Sequence, residues 1–296
     1  MPSSTVGSTL PRRMLGRALK RLRDNSGVPP KVAAHSIRVS PQTLWRIETG
    51  QQGPQLKELY VQALCQLYGA AVDETKVLVG LVELCDQQSW IHLYEDVIPE
   101  VFASFIALEE EASLVVTHQL SLMPGLLQTS DYRQNGVWAL QPQASPTEVQ
   151  RNVELTMRRQ RRIHEDAENF TLNALLCESA LRRPIGGPAV MGQQCRHLLE
   201  VSDLPNVSIQ VVPISKGMHI GLQVGPFSLL DFPEHPAAYL SEPPVVYMDG
   251  YTGGVYLERA TEISQYRAAI AGIARVALDT AESRDLIAEI AREYEE

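Results

Sequence analysis

The chain is 296 residues long, 44% hydrophobic and 21% charged, which is ordinary for a globular protein and enough for two domains with a substantial core. No run of about 18 apolar residues occurs, which argues against a membrane span, and the opening MPSSTVGSTLPRR lacks the apolar stretch of a secretory signal. The net charge of −9 is unevenly divided: residues 1–60 carry ten Lys/Arg against three Asp/Glu (+7), and the rest sixteen against thirty-two (−16). The total argues against a nucleic-acid partner, but the distribution argues for one. A basic head attracts phosphates, while an acidic body discourages non-specific wrapping by DNA.

Residues 1–11 are rich in Ser, Thr, Gly and Pro and read as a disordered arm. Met14, Leu15, Ala18, Leu19 and Leu22 then recur at helical spacing, with arginines outside, until Asp24-Asn25-Ser26-Gly27 ends the helix. Pro29-Pro30 opens a second helix to about Ile37, in which Ala33 and Ala34 permit close packing. Ile37-Arg38-Val39 is a tight turn into a third. There Ser40 is a good N-cap, Pro41 takes the first helical position and Gly50 ends the element. Leu44 and Ile47 mark its inward face, so Gln42, Thr43 and Arg46 point the other way. Gln pairs bidentately with adenine, Arg with guanine, and Thr reads a polar edge or a thymine methyl. Arg12, Arg13, Arg17 and Lys20 are expected to attract phosphates irrespective of sequence. Trp45 has two readings: stacking on sugar-phosphate, or packing on the first helix or a dimer mate. Helix four is expected over Gln55–Tyr68 with Leu56, Leu59, Tyr60, Ala63, Leu64 and Leu67 inward, and a fifth over about Asp73–Gln87.

From about Trp90 the pattern becomes mixed α and β. Helices are expected at Val101–Glu111, Ser130–Leu140, Pro146–His164, Ala189–Val201, Ala260–Leu278 and Ser283–Tyr294. Strands are expected at 113–120, Phe170–Cys177, Val207–Val212, Phe227–Phe232 and Val245–Met248. Cys65, Cys85, Cys177 and Cys195 form no CxxC pair and read as buried free thiols of a cytoplasmic protein. With no metal-ligand spacing, GxSxG or HExxH, neither an enzyme nor a cofactor nor a metal is expected. Five consecutive helical positions, 158–162, spread Arg158, Arg159, Gln160, Arg161 and Arg162 around the circumference. Ion pairing with Glu165, Asp166 and Glu168 and the binding of an anionic ligand or partner are both open. Pro124-Gly125-Leu126-Leu127-Gln128-Thr129 is either a strand-to-helix turn or a ligand loop. The candidate ligand or partner region is Pro124, Gly125, Gln128, Arg158 and Arg159.

Val32-Ala33-Ala34, Ile37-Arg38-Val39-Ser40, Leu44-Trp45-Arg46-Ile47-Glu48-Thr49-Gly50 and Pro54 resemble the Cro/repressor-type (xenobiotic-response-element family) helix-turn-helix over about residues 12–80. The resemblance implies that Gln42, Thr43 and Arg46 face bases, that Ser40, Gln51 and Gln52 lie near phosphates, and that Arg23 and Glu48 form a structural ion pair. Two positions depart from the family pattern. Arg38 stands where glycine is usual, at a cost of roughly 1 kcal/mol if left-handed, and Pro30 replaces a polar anchor. A second resemblance spans about residues 95–285. It rests on Met123 through Thr129 with Asp131-Tyr132, Arg158-Arg159-Gln160-Arg161, Glu178 through Arg183, Gly186-Gly187 and Pro226-Phe227. It is to the domain of unknown function that follows the helix-turn-helix in many actinobacterial regulators, some of them antitoxin-like.

The expected fold is an all-α N-terminal helix-turn-helix bundle plus a larger α+β C-terminal domain. The arm covers 1–11, the DNA-binding domain 12–88 and a regulatory or dimerisation domain 89–296. The expected function is transcriptional regulation by a homodimer on an inverted repeat of double-stranded DNA, without membrane attachment. The alternative is an antitoxin-like adaptor that sequesters a small partner protein encoded nearby and autoregulates its promoter.

Overall fold

In the computed structural model, residues 9–51, 55–86, 90–94 and 96–296 are described. The chain forms two units, one comprising residues 1–95, 106–111 and 233–242, the other residues 96–105, 112–232 and 243–296.

The first unit is helical. Its elements are α1 (Thr9–Ser26), α2 (Pro30–Ser36), α3 (Pro41–Glu48), α4 (Glu58–Tyr68) and α5 (Val72–Asp86). Helix α1 already includes Thr9–Pro11, which the sequence placed in the arm; residues 1–8 lie outside the described residues. Leu15, Ala18, Leu19 and Leu22 of α1 meet Ala33 and Ala34 of α2 and Leu44 and Ile47 of α3. Val61, Leu64, Cys65 and Tyr68 of α4 and Leu78, Val82 and Cys85 of α5 complete that core. Gly16 permits the approach of α1 to α3, since a Cβ there would stand 2.3 Å from the Ile47 carbonyl oxygen. Helix α4 departs from expectation. It begins three residues later, and its buried stripe is Val61, Leu64, Cys65 and Tyr68, leaving Leu59 and Leu67 exposed. Apolar residues surround most of this helix, so periodicity alone does not select the buried face.

Residues 233–242 also belong to this unit, although they lie far along the chain. A short 3-10 turn at Ala238–Leu240 buries Leu240 in the helical core. Tyr239 lies under the Arg21 guanidinium, 4.6 Å from ring centroid to Cζ.

The second unit is α+β. Helix α6 (Glu100–Glu111) contributes its first half. There follow β1 (Leu114–Gln119), α7 (Ser130–Leu140), α8 (Pro146–Glu165), β2 (Thr171–Cys177), α9 (Glu178–Arg182), α10 (Pro188–Val201) and β3 (Val207–Val212). Next come α11 (Ile220–Val224), β4 (Phe227–Asp231), β5 (Val245–Met248), β6 (Val255–Leu257), α12 (Ala260–Ala274) and α13 (Thr280–Glu293). The sheet order is β3-β2-β1-β4-β5-β6. Strands β1, β2 and β3 are parallel and joined through helices, whereas β4, β5 and β6 continue as an antiparallel meander. Leu175, Cys177, Phe227 and Leu229 pack with Ile263 and Ile273 of α12. Leu172, Ala174 and Leu176 alternate to the opposite face and are equally buried. A sheet covered on both faces explains why β2 reads as an almost unbroken apolar run. The outer edge of β3 is closed where Val211 donates its N–H to Ser283 Oγ and its carbonyl accepts from the Leu278 N–H. All four cysteines are buried, and no described helix is long and apolar enough to cross a membrane.

Candidate nucleic-acid interface

The geometry of α3 follows from its two ends. Ser40, in extended conformation, accepts the Thr43 N–H at 3.0 Å, and Pro41 follows at the first helical position. At the far end Gly50 is left-handed (φ 67°), and its neighbour Gln51 donates its N–H to Arg46 O at 2.9 Å. No side chain fits at Gly50, because a Cβ would lie 2.7 Å from Arg13 Cα.

The turn between α2 and α3 is made by Arg38 at φ 56°, the one non-glycine with positive φ among the described residues. Its N–H donates to His35 O (3.1 Å), and Val39 N–H donates to Ala34 O (3.0 Å). The glycine usual in such a turn is therefore replaced without loss of the turn, at a strain of about 1 kcal/mol.

Leu44, Ile47 and Glu48 of α3 are buried, and Gln42, Trp45 and Arg46 are exposed, with Thr43 half-buried. Arg23 grips Glu48 through two parallel bonds, Nε to Oε1 at 2.7 Å and Nη2 to Oε2 at 3.0 Å. The bond to Glu48 holds the Arg23 pKa above its ordinary value. This bidentate clamp fixes the rotation of α3 on α1, and with it the direction in which Gln42 and Arg46 point. Trp45 is 53% exposed, so it does not pack into the core of its own unit.

The basic residues divide into two groups. Lys20, Lys31, Arg38 and Arg46 are exposed and form no ion pair among the described residues. Three of the cations expected at phosphates are engaged inside the unit instead. Arg12 is 9% exposed, and its Nε donates to Cys85 O at 3.3 Å. Arg13 Nε donates to Glu242 Oε1 at 2.7 Å, and Arg17 pairs with Oε2 of the same carboxylate. The Glu242 side chain is 1% exposed, so a buried anion from the distant 233–242 segment neutralises this part of α1. Of the remaining phosphate candidates, Ser40 and Gln51 are exposed and Gln52 lies outside the described residues. Lys31 of α2 and Arg38 of the turn before α3 are exposed cations that the sequence does not single out as phosphate contacts. In the sequence Lys31 enters only a charge count and Arg38 only the turn, because no short-range pattern distinguishes a cation beside a groove from one elsewhere.

In the second unit, of the residues read as a ligand or partner region, Arg159 lies against Gly125 of the loop that also carries Pro124 and Gln128. Gln160 Nε2 donates to the carbonyls of Gly125 (2.8 Å) and Gln128 (2.7 Å), tying the 123–129 loop to α8. Gln194 holds the same loop from α10, accepting the Thr129 N–H and donating to Leu127 O. Pro124 and Gln128 are buried, and Gln128 Nε2 donates to Met123 O, so both serve the inside of the loop. Arg158 and Arg159 are half-buried. Arg159 lies over the rings of Phe102 and Phe105, while Arg162 pairs with Asp166 and stacks on Phe170. The arginine run is thus distributed around α8. Among the described residues, no group of three or more His, Cys, Asp or Glu is placed to hold a metal ion.

Two helices joined by a left-handed turn, the second capped, clamped and open on its polar face, define a helix-turn-helix unit; residues 14–78 match the family described as Helix-turn-helix domain. Residues 102–289 match the family described as Domain of unknown function (DUF5753), and because that match covers more than half of the chain, the chain belongs to this family. The chain matches no curated protein and no solved structure.

Proposed function

We propose that this protein is a sequence-specific DNA-binding transcriptional regulator of the Cro/repressor type, acting by binding rather than by catalysis. The observation that carries the reading is the exposed face of α3. Gln42 and Arg46 project from a short helix whose opposite face is locked into the core by Leu44, Ile47 and the Arg23–Glu48 clamp. Such a helix enters the major groove with its polar face toward base edges. Gln42, Thr43 and Arg46 read bases, and Ser40, Gln51, Lys20, Lys31 and Arg38 lie against phosphates. Arg12, Arg13 and Arg17 we assign to the scaffold.

One recognition helix covers only a few base pairs, so useful specificity requires a homodimer on an inverted repeat with half-sites about one helical turn apart. The second unit then receives the signal that tunes DNA affinity. Selection from a random duplex pool followed by light scattering of the complex tests both statements. The expected result is an enriched palindrome bound by two chains. A pool that never enriches, or a complex containing one chain, would contradict the proposal.

A further inference from the structure

Arg133 of α7 carries a charge that no carboxylate among the described residues neutralises. One Nη donates to Asn152 Oδ1 at 3.1 Å, and Asn152 is itself buried on α8. Arg133 Nε is buried and has no hydrogen-bond partner, and no carboxylate among the described residues pairs with this guanidinium. The charge that acts on it is another cation. Burial first, and Arg159 second, push the Arg133 pKa down to about 10. Buried charges in folded proteins are ordinarily paired, because desolvation without a counter-charge is costly.

The surroundings of the pair are tied together by hydrogen bonds. Asn152, Thr156 and Arg159 recur at i, i+4 and i+7, so they form one face of α8, and Asn152 meets Arg133 of α7 across it. The Arg159 guanidinium lies across Gly125, where an added Cβ would be 2.8 Å from Nη1. That glycine belongs to the loop held by Gln160 and Gln194, and the Met123 N–H is held by Tyr132 Oη. Thr156 Oγ1 donates back to the Asn152 carbonyl. The loop's polar groups thus serve the loop itself, and Arg133 Nε remains as an unmet donor. Arg133 keeps partial exposure, so a solute reaches it without unfolding of the unit.

We propose that Arg133 and Arg159 form a binding site for a small molecule bearing an oxyanion, a carboxylate or a phosphate monoester, beside the 123–129 loop of the DUF5753 unit. The planar guanidinium of Arg133 offers its Nε–H and, on the same edge, the N–H of Nη2 not given to Asn152 as a fork matched to two oxygens of such a group. The bound anion supplies the counter-charge that the fold omits. The site stands whether or not the first unit reads DNA; if it does, this is the input through which a metabolite is sensed.

The test is thermal unfolding of the full chain at pH 7 and constant ionic strength, with sodium chloride replaced stepwise by sodium phosphate or sodium acetate. The wild type is expected to show a saturable rise in Tm with at least one of the two anions. A stronger response to phosphate assigns a phosphate ester, and a stronger response to acetate assigns a carboxylate. Arg133→Met is expected to abolish the rise. A wild type indifferent to both anions, or an Arg133→Met variant that responds as the wild type does, overturns the proposal. If Arg133→Met fails to fold, Arg133→Lys decides: it keeps the charge but loses the fork, and must weaken apparent affinity at least tenfold, whereas an unchanged affinity overturns the site.

Discussion

Glu242→Gln is the most informative single perturbation of the first unit. The carboxylate is 1% exposed and meets two arginines whose side chains are 14% (Arg13) and 32% (Arg17) exposed. Glutamine keeps the shape but removes the charge and turns an NH2 group toward a guanidinium. Hydrogen bonds to charged groups contribute about 1.5–3 kcal/mol each, and breaking a fully buried pair costs about 3–5 kcal/mol. Arg17 is partly solvated, which reduces its share. A loss of roughly 2–4 kcal/mol follows for the helical unit. With a urea m-value of about 2 kcal/mol/M, typical of small domains, the midpoint of that unit's transition falls by about 1–2 M, measured by circular dichroism. Combining Glu242→Gln with Arg13→Gln should give less than the sum of the two losses, because both remove one interaction. A midpoint unchanged within the equivalent of about 0.5 kcal/mol would refute the claim that the 233–242 segment is an energetic part of the DNA-binding unit.

Three further outcomes are expected. Arg38→Gly relieves the left-handed strain at φ 56° and should stabilise the helix-turn-helix by up to about 1 kcal/mol. The same change removes an exposed cation, so weak binding to random duplex should fall and its salt dependence flatten by about one phosphate contact. A variant that is both less stable and binds random duplex as tightly as the wild type would contradict both roles. In the second unit His118 is fully buried in β1, and burial holds its pKa below the usual value of 6.5. Its unfolded form takes up a proton before the folded form does, so the stability it contributes is present above pH 6.5 and is lost as pH falls below it. Thermal unfolding at pH 7.5 and 5.5 should therefore show a smaller acid loss for His118→Gln than for the wild type; equal losses would remove His118 as the cause.

The local structure was largely readable from the sequence, because it is set by neighbours along the chain. The cap at Ser40, the proline at 41 and the stop at Gly50 delimit α3 through short-range chemistry, and Ser130–Leu140, Val207–Val212 and Val245–Met248 were expected with the bounds observed. Strand β6 escaped because three residues, Val255–Leu257, are too few for periodicity to register. Helices α9 and α11 escaped for the same reason, at five residues each. The functional surface divides along the same line. The outward face of α3 follows from helical geometry, whereas the engagement of Arg13 and Arg17 depends on a glutamate more than 220 positions away. A charge count treats all basic residues alike. The fold separates them, engaging Arg12, Arg13 and Arg17 within the helical unit and leaving Lys31 and Arg38 exposed. The unpaired Arg133 was likewise invisible, since nothing in a sequence tells whether a given arginine meets a carboxylate.

The central claim is that α3 reads bases, and the most direct test is fluorescence anisotropy on the duplex enriched from a random pool, at several salt concentrations, for wild type and Arg46→Ala. The account predicts that Arg46→Ala loses about 1–3 kcal/mol of preference for the selected sequence over a scrambled one. Its binding to the scrambled duplex should remain weak and salt-sensitive, within about one phosphate contact of wild type. Equal discrimination by the two proteins would contradict the account and remove α3 as the reading element.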